Sequence, residues 1–200
     1  MVPEDSSQKF IQIAQNQFFS SYQMLETLVD VCPDEVWYGV YNDVPFWYQV
    51  YHVAYFVDYW FRAEGATTPS LCMAFDPRLP PEFEHDVPPD VSTSRAEIRE
   101  YLRRIRAKLT ALFASLDDAA LARPVYDGTE EYTLLDILFG QSRHMMYNVG
   151  YCNGILRARN PEESDWYSYN EPAESPRCSG VFAHQLFPVS EYSLTGFLVL

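Results

Sequence analysis

The amino-acid sequence predicts an all-α four-helix bundle followed by an irregular C-terminal tail. Three observations support this fold class: four segments with helical spacing of apolar residues, Pro-containing connections, and a long crossover between the second and third segments. A long crossover allows two successive helices of such a bundle to run parallel. We expect the bundle to occupy residues 1–160, and the tail, residues 161–200, to pack on the bundle or on a partner subunit.

The first two helices are predicted over residues 7–31 and 45–65. Pro33 follows the end of the first helix, whose apolar residues recur every three or four positions. Pro45 suits the first turn of the second helix, where a backbone N–H is not needed, and Gly65 suits its C-terminal stop. The second segment is apolar or aromatic on nearly every side, which is typical of a helix buried on several sides.

The third and fourth helices are predicted over residues 93–116 and 132–159. Both begin with residue pairs that have the spacing of a capping box, Ser94 with Glu97 and Thr133 with Asp136. Asn160 and Pro161 end the fourth helix. The crossover before the third helix, residues 66–92, contains six prolines, so we expect it to lie on the surface without regular structure.

Four arginines share one face of the third helix. We expect this face to be solvated and paired with acidic residues of the crossover, and the alternative is a site for an anionic substrate or thiol cofactor. The arginines are Arg95, Arg99, Arg103 and Arg106, and the acidic residues are Glu82, Glu84, Asp86 and Asp90.

Composition excludes several classes of partner. The formal net charge is −14, from 14 basic and 28 acidic residues, and this disfavours binding to nucleic acid or to an anionic membrane surface.

No apolar run is long enough to span a membrane, and the N-terminus lacks the features of a signal peptide. The four cysteines show no metal-finger spacing, so we expect free thiols and a cytoplasmic protein.

The inward stripe of the fourth helix is polar at its centre, where Gln141, His144 and Asn148 occupy one core-facing side. Buried polar groups need partners, so these three residues call for a hydrogen-bond network or a ligand. His144 and Asn148 are four apart and project to the same place. His52 lies midway along the second helix and can meet His144 if the two helices are neighbours.

Other residues near this centre have two interpretations. Tyr48 and Tyr55 are core residues or the walls of an apolar pocket with hydroxyls, and the sequence leaves both open. For Cys152 we expect a small buried hydrophobe rather than a reactive thiol or a metal ligand. For Gly150 and Gly154, four residues apart, we expect close internal packing rather than a dimer seam.

These motifs resemble those of the DinB-like family. Residues 138–151 read LFGQSRHMMYNVGY and are similar to the family's last-helix motif, in which two histidines lie four apart before Arg-Gly-Gln. Residues 46–56, FWYQVYHVAYF, resemble the second helix, which supplies one further histidine, and residues 31–37, VCPDEVW, resemble the first connection. The resemblance covers residues 7–160 in element order and spacing.

The resemblance implies an up-down-down-up four-helix bundle, often dimeric, with a three-histidine site for zinc, nickel or a similar divalent ion. Some members are thiol-dependent transferases, and others are isomerases or hydrolases. Carried over to this chain, the metal ligands are His52, His144 and Asn148, with Tyr48, Tyr55, Gln141 and Cys152 around them. The chain departs from the motif at Asn148, which stands in place of the third histidine, and at Val149, which replaces the arginine.

Two hypotheses follow. In the first, the chain is a divalent-metal-dependent thiol transferase or hydrolase acting on a small molecule, with Asn148 as a weak or water-mediated third partner of the ion. In the second, the chain is a metal-free, non-catalytic protein that binds a small molecule or has a structural role. An amide oxygen is a weak ligand for zinc or nickel beside imidazole, so Asn148 decides between them.

Overall fold

The computed structural model describes residues 9–69, 71, 75–76, 78–80, 88, 90–159, 164 and 166–167. The elements in chain order are α1 (Lys9–Val31), α2 (Asp34–Trp37), β1 (Val40–Tyr41), β2 (Val44–Pro45), α3 (Phe46–Trp60), α4 (Arg95–Phe113), a 3-10 helix (Asp118–Ala122), β3 (Pro124–Asp127), β4 (Glu130–Thr133) and α5 (Leu134–Arg157). The chain is mostly helical, as predicted. The all-α prediction was incomplete, since two small antiparallel sheets accompany the helices.

Both predicted capping boxes are present and set where two long helices begin. Ser94 caps α4 through the backbone N–H of Glu97, and the Glu97 carboxylate accepts from the Ser94 backbone N–H. Thr133 and Asp136 make the same reciprocal pair at α5. Each pair satisfies backbone N–H groups that have no partner inside the helix.

The second predicted helix is shorter than expected at its C-terminal end. α3 begins at Phe46, with Pro45 as the capping residue, and ends at Trp60 rather than near Gly65. The Arg62 guanidinium donates to the carbonyls of Tyr59, at 3.0 Å, and Ala66, at 2.6 Å. Carbonyls in the last helical turn lack partners within the helix, and Arg62 provides a donor to one of them, Tyr59, while its contact with Ala66 holds the chain that follows.

Two hairpins were missed by the sequence analysis. β1 pairs with β2 through a turn in which Asn42 and Asp43 have φ of 50° and 65°, and β3 pairs with β4 through a turn with Gly128 at φ 60°. Asn, Asp and Gly tolerate this left-handed backbone and are the usual residues of two-residue hairpin turns. The Asp127-Gly128 pair was therefore a readable hairpin signal, but the strands beside it are only four residues long.

The core lies where α1 and α3 each pack against both α4 and α5. The Phe18 ring of α1 contacts Phe61 at 5.4 Å and Phe113 at 5.9 Å, so aromatic side chains from three parts of the chain meet at its centre. The Trp37 indole N–H donates to the Thr93 carbonyl at 2.9 Å and ties α2 to the start of α4. No helix among the described residues is both long and apolar enough to cross a bilayer.

The described residues of the crossover and the tail contact the bundle. Residues 66–69, 71, 75–76, 78–80, 88 and 90–92 contain neither helix nor strand, and Leu79 and Val91 are buried. In the tail, Tyr167 is buried and its hydroxyl hydrogen-bonds Thr27 of α1 at 2.7 Å. The prediction for residues 161–200 as a whole falls mainly outside the described residues and stays a prediction.

Two arginines of the α4 face pair with α1, and none of its ion pairs among the described residues reaches the crossover, which differs from the expected pairing. Arg99 binds Asp30 and Arg106 binds Glu26, both on α1, while Arg95 binds Asp34 of α2. Arg103 binds Glu100 of its own helix. Asp90, expected to pair with this face, binds Arg78 instead, and residues 82, 84 and 86 lie outside the described residues.

Gly150 and Gly154 do not pack internally, so that expectation was wrong. Both are exposed on the outer side of α5, and a Cβ added at either position meets no atom within 4 Å.

Candidate metal centre

The candidate centre lies between α3 and α5, two helices that pack side by side. The Thr133 cap fixes the first residue of α5, and the helical repeat then carries His144 to the side that faces α3. His52 lies in the middle of α3 and faces α5. Both histidines are partly buried.

The two imidazoles meet at their Nε2 atoms, which are 3.0 Å apart. The ring centroids are 5.0 Å apart, and the rings are inclined at 71°. The Phe56 ring lies 4.9 Å from the His52 ring and 5.8 Å from the His144 ring, so it packs against both. The expectation that these histidines converge in the bundle is met.

The environment keeps His144 neutral at neutral pH. Burial, and secondarily the nearby His52, lower the pKa of His144 from its ordinary 6.5 to about 4. Neutral imidazole is the form that binds a metal ion, so proton competition at His144 is weak at pH 7. Its Nδ1 is buried and has no hydrogen-bond partner among the described residues. Metal-binding histidines usually donate this N–H to an acceptor, and none of the described residues supplies one.

Asn148 is buried, but its recorded hydrogen bond leads to the backbone. Its Nδ2 donates to the carbonyl of His144, one turn earlier, at 2.9 Å. The described contacts therefore join Asn148 to its own helix and to neither imidazole nitrogen. Within the described ranges, no three His, Cys, Asp or Glu side chains group closely enough to hold a metal ion.

The four predicted pocket residues have different surroundings in the structure. Tyr48 is buried and stacks on Tyr51 at 6.3 Å, while the partly buried Tyr55 stacks on Tyr59 at 6.2 Å. Cys152 is 1 % exposed, and burial raises the pKa of its thiol, as expected for a small buried hydrophobe.

Gln141, the fourth predicted pocket residue, lines a cleft of about 870 Å³ beside α1. That cleft is bordered by neither histidine and by none of Tyr48, Tyr55 and Cys152.

A buried ionic cluster was missed by the sequence analysis. Asp58 of α3 is fully buried and binds Lys108 of α4, accepts from the Tyr101 hydroxyl at 2.9 Å, and accepts from the Leu71 backbone N–H at 3.1 Å. Burial lowers the pKa of Lys108 and raises that of Tyr101. A carboxylate inside an otherwise aromatic helix was the available signal, because a buried charge requires a partner. The contacts account for it as a structural tie between α3, α4 and the crossover.

Comparison with protein families identifies the family of the chain. The model of the DinB superfamily matches residues 17–152, more than half of the chain, and this stretch contains both histidines and Asn148. The chain belongs to the DinB superfamily. No curated protein and no solved structure matches it. Membership in the DinB superfamily agrees with the resemblance of the last-helix motif, and it leaves the activity of this chain to be inferred from the centre between α3 and α5.

Proposed function

We propose that this DinB protein is a divalent-metal-dependent enzyme acting on a small molecule, as a thiol transferase or a hydrolase. His52 and His144 are the proposed ligands of zinc or nickel. The observation that carries the proposal is the 3.0 Å separation of their Nε2 atoms, which brings two imidazole nitrogens from different helices together.

The spacing of the two nitrogens fits one ion. With zinc–nitrogen bonds of about 2.0–2.1 Å, two nitrogens on a tetrahedral zinc lie about 3.4 Å apart. The Nε2 atoms at 3.0 Å need only a small separation of the rings to reach this distance. Two protein ligands leave coordination positions for water or substrate, and a catalytic zinc site usually has three, so the proposed site is open and weak.

The roles of the chain's own residues follow from their positions. A bound divalent ion lowers the pKa of a coordinated water or thiol and so provides a nucleophile near pH 7. Burial keeps the His144 ring unprotonated, so its nitrogen is available to bind the ion. Phe56 packs against both rings and excludes water from that side. Asn148 is held by the His144 carbonyl and reaches the ion through a water molecule in this proposal.

A second candidate is a metal-free protein that binds a small molecule or has a structural role. One observation favours it: 3.0 Å is also the length of an ordinary Nε2–H···Nε2 hydrogen bond between neutral imidazoles. In this case each histidine is the hydrogen-bond partner of the other. The hydrogen bond from the Asn148 amide to the His144 carbonyl then completes a polar core.

Metal analysis of the purified full chain separates the two candidates. We expect about one equivalent of zinc or nickel after loading and desalting, and its loss in His52→Ala and in His144→Ala. The control His85→Ala removes a histidine that is not a proposed ligand and should keep the ion. Less than a tenth of an equivalent in the loaded wild-type protein would contradict the metal proposal and favour the metal-free one.

We also propose that the long helices follow the up-down-down-up order. The backbone N–H of Ile11, in the first turn of α1, donates to Asp118, which lies just before the hairpin that leads into α5. This contact supports α1 and α5 starting at the same end of the bundle. Tyr59, near the end of α3, donates to Asp127 of the same hairpin. Arg95, at the start of α4, donates to the Cys32 carbonyl beyond the end of α1. These contacts support α1 and α5 running opposite to α3 and α4.

The remaining proposals concern setting and assembly. The free, buried thiols of Cys32 and Cys152 support a reducing, cytoplasmic environment. The homodimer implied by the family resemblance stays a proposal, and light scattering on the purified chain measures it. A mass of about twice 23.2 kDa is expected.

A further inference from the structure

The cleft that contains Gln141 lies beside α1 and α5 and is distinct from the histidine pair. Its volume of about 870 Å³ falls within the range of small-molecule sites. Gln17 and Ser21 border it from α1, Trp60 from the last turn of α3, and Tyr132 from β4. His52 and His144 do not border it, although His144 lies only three residues after Gln141 on α5.

Gln141 borders this cleft and carries a hydrogen-bond acceptor that has no partner among the described residues. Its side chain is 7 % exposed, and its Oε1 is buried with no hydrogen-bond partner among the described residues. An amide oxygen removed from water without a partner is costly, whereas a leucine of similar size would pack at the same position without that cost. A donor on a bound ligand or water would satisfy this oxygen once the Gln141 amide turns toward the cleft.

The walls of the cleft indicate which molecule carries that donor. The Trp60 and Tyr132 rings meet edge to face, with centroids 5.5 Å apart and an interplanar angle of 90°, and provide aromatic surface. The cleft's charged lining residues are one acid and one base, Asp136 and Arg143. The Asp136 Oδ2 atom accepts from the Thr133 backbone N–H and hydroxyl. This balance favours a neutral ligand over an ion.

We propose that this cleft is a second binding site, which takes a neutral planar aromatic molecule that donates an N–H or O–H to Gln141 Oε1. The ring of the ligand packs against Trp60 and Tyr132, and the amide oxygen orients it. The site does not depend on the histidine pair or on metal, so it goes beyond the proposed enzymatic function.

A matched pair of probes tests the donor requirement. Indole carries a ring N–H, and benzofuran has nearly the same shape with an oxygen in its place. In NMR titrations of the full chain, we expect saturable shifts at the Trp60 indole N–H and tighter binding of indole by about three- to tenfold, the effect of one neutral hydrogen bond. Equal affinities, or no saturable shift at Trp60, would overturn the proposal.

Two variants locate the effect. Gln141→Leu keeps the shape and removes the acceptor, so indole and benzofuran should bind it equally. Gln49→Leu replaces another buried glutamine, on α3, that does not border the cleft, and should keep the preference for indole. If Gln49→Leu loses the preference for indole, or if Gln141→Leu keeps it, the ligand donates to another residue and the proposed role of Gln141 is wrong.

One further measurement separates this site from the histidine pair. The indole affinity should be unchanged by EDTA and by His144→Ala, whether or not the histidines bind metal. If chelation or His144→Ala weakens indole binding as much as Gln141→Leu does, the cleft is part of the histidine site and the proposal of a separate site is wrong.

Discussion

At the scale of single residues, Asn148 limits the proposed metal centre. It stands one helical turn after His144, where the resemblance to the last-helix motif implies a histidine, but its amide is bonded to the His144 carbonyl. An imidazole at this position has a nitrogen donor and a longer reach, and it would complete a set of three protein ligands. Replacing Asn148 by histidine therefore tests whether a third protein ligand strengthens metal binding at this site.

We expect Asn148→His to tighten zinc binding by at least about tenfold, because a third imidazole raises the number of protein ligands to that of a typical catalytic site. Competition titration with a chelating dye measures the affinity. Tyr147→His is the matched control, since it adds a histidine at a position that is 81 % exposed on the same helix. Equal zinc affinities in the two variants would argue against a metal centre at the histidine pair.

The buried His144 also predicts how stability depends on pH in the metal-free protein. Its folded pKa of about 4 lies below the ordinary 6.5, so the unfolded chain binds more protons between these values. The contribution of this pKa difference to the free energy of unfolding is fully present above pH 6.5 and is lost as the pH falls toward 4. Its size is on the order of 3 kcal/mol.

Urea unfolding in EDTA at pH 7.5, 6.0 and 5.0 measures this dependence. Wild-type protein should lose more stability over this range than His144→Gln, which has no imidazole at the site. Parallel curves for the two proteins would mean that His144 is protonated as easily in the folded chain as in the unfolded one.

At the scale of elements, the helix caps decide which side chains reach the site. The Thr133 capping box sets the first residue of α5. His144 lies eleven residues after Thr133, on the side of α5 that faces α3. The hairpin of β3 and β4 leads directly into this cap, and Asp127 in β3 is held by Tyr59 and Arg62 at the end of α3. The start of α5 is thus fixed to the end of α3, the helix that carries His52.

We expect Thr133→Ala to lower the free energy of unfolding by about 1 kcal/mol, since it removes the side-chain acceptor of the Asp136 N–H. Chemical denaturation followed by circular dichroism measures the change. Thr67→Ala, at an exposed position outside the helices, is the control and should change stability little. Equal effects of the two substitutions would show that the cap does not stabilise α5.

At the scale of the whole molecule, the buried Asp58 cluster holds α3, α4 and the crossover together. Lys108 is the cationic partner of a carboxylate that has no exposed surface. Removing one member of such a pair leaves an uncompensated charge in the core, and this costs more than the pair itself contributes.

Lys108→Met should therefore lower the free energy of unfolding by about 3–5 kcal/mol. The double variant Asp58→Leu/Lys108→Met should recover part of the loss, because no buried charge remains. Arg103→Met, an exposed position on the same helix, should cost less than about 0.5 kcal/mol. Urea unfolding of the three variants measures these differences, and a loss no larger for Lys108→Met than for Arg103→Met would contradict a structural role of the cluster.

The long helices and their caps were predictable because they depend on local sequence. Apolar spacing and the pairs Ser94 with Glu97 and Thr133 with Asp136 act within a few residues, so they are visible in the sequence alone. The two hairpins were less visible, since their strands have two to four residues and depend on what they pack against.

The sequence by itself determined the helical fold, its caps and the family to which the chain belongs, because apolar periodicity and the last-helix motif are local patterns. It also identified His52 and His144, but their convergence depends on the packing of α3 against α5. Only the tertiary structure decided that Gln141 borders a separate cleft, that Asn148 bonds to its own helix, and that two of the four arginines pair with α1. These outcomes depend on which distant elements share an interface, and a single sequence does not encode those contacts in any local pattern.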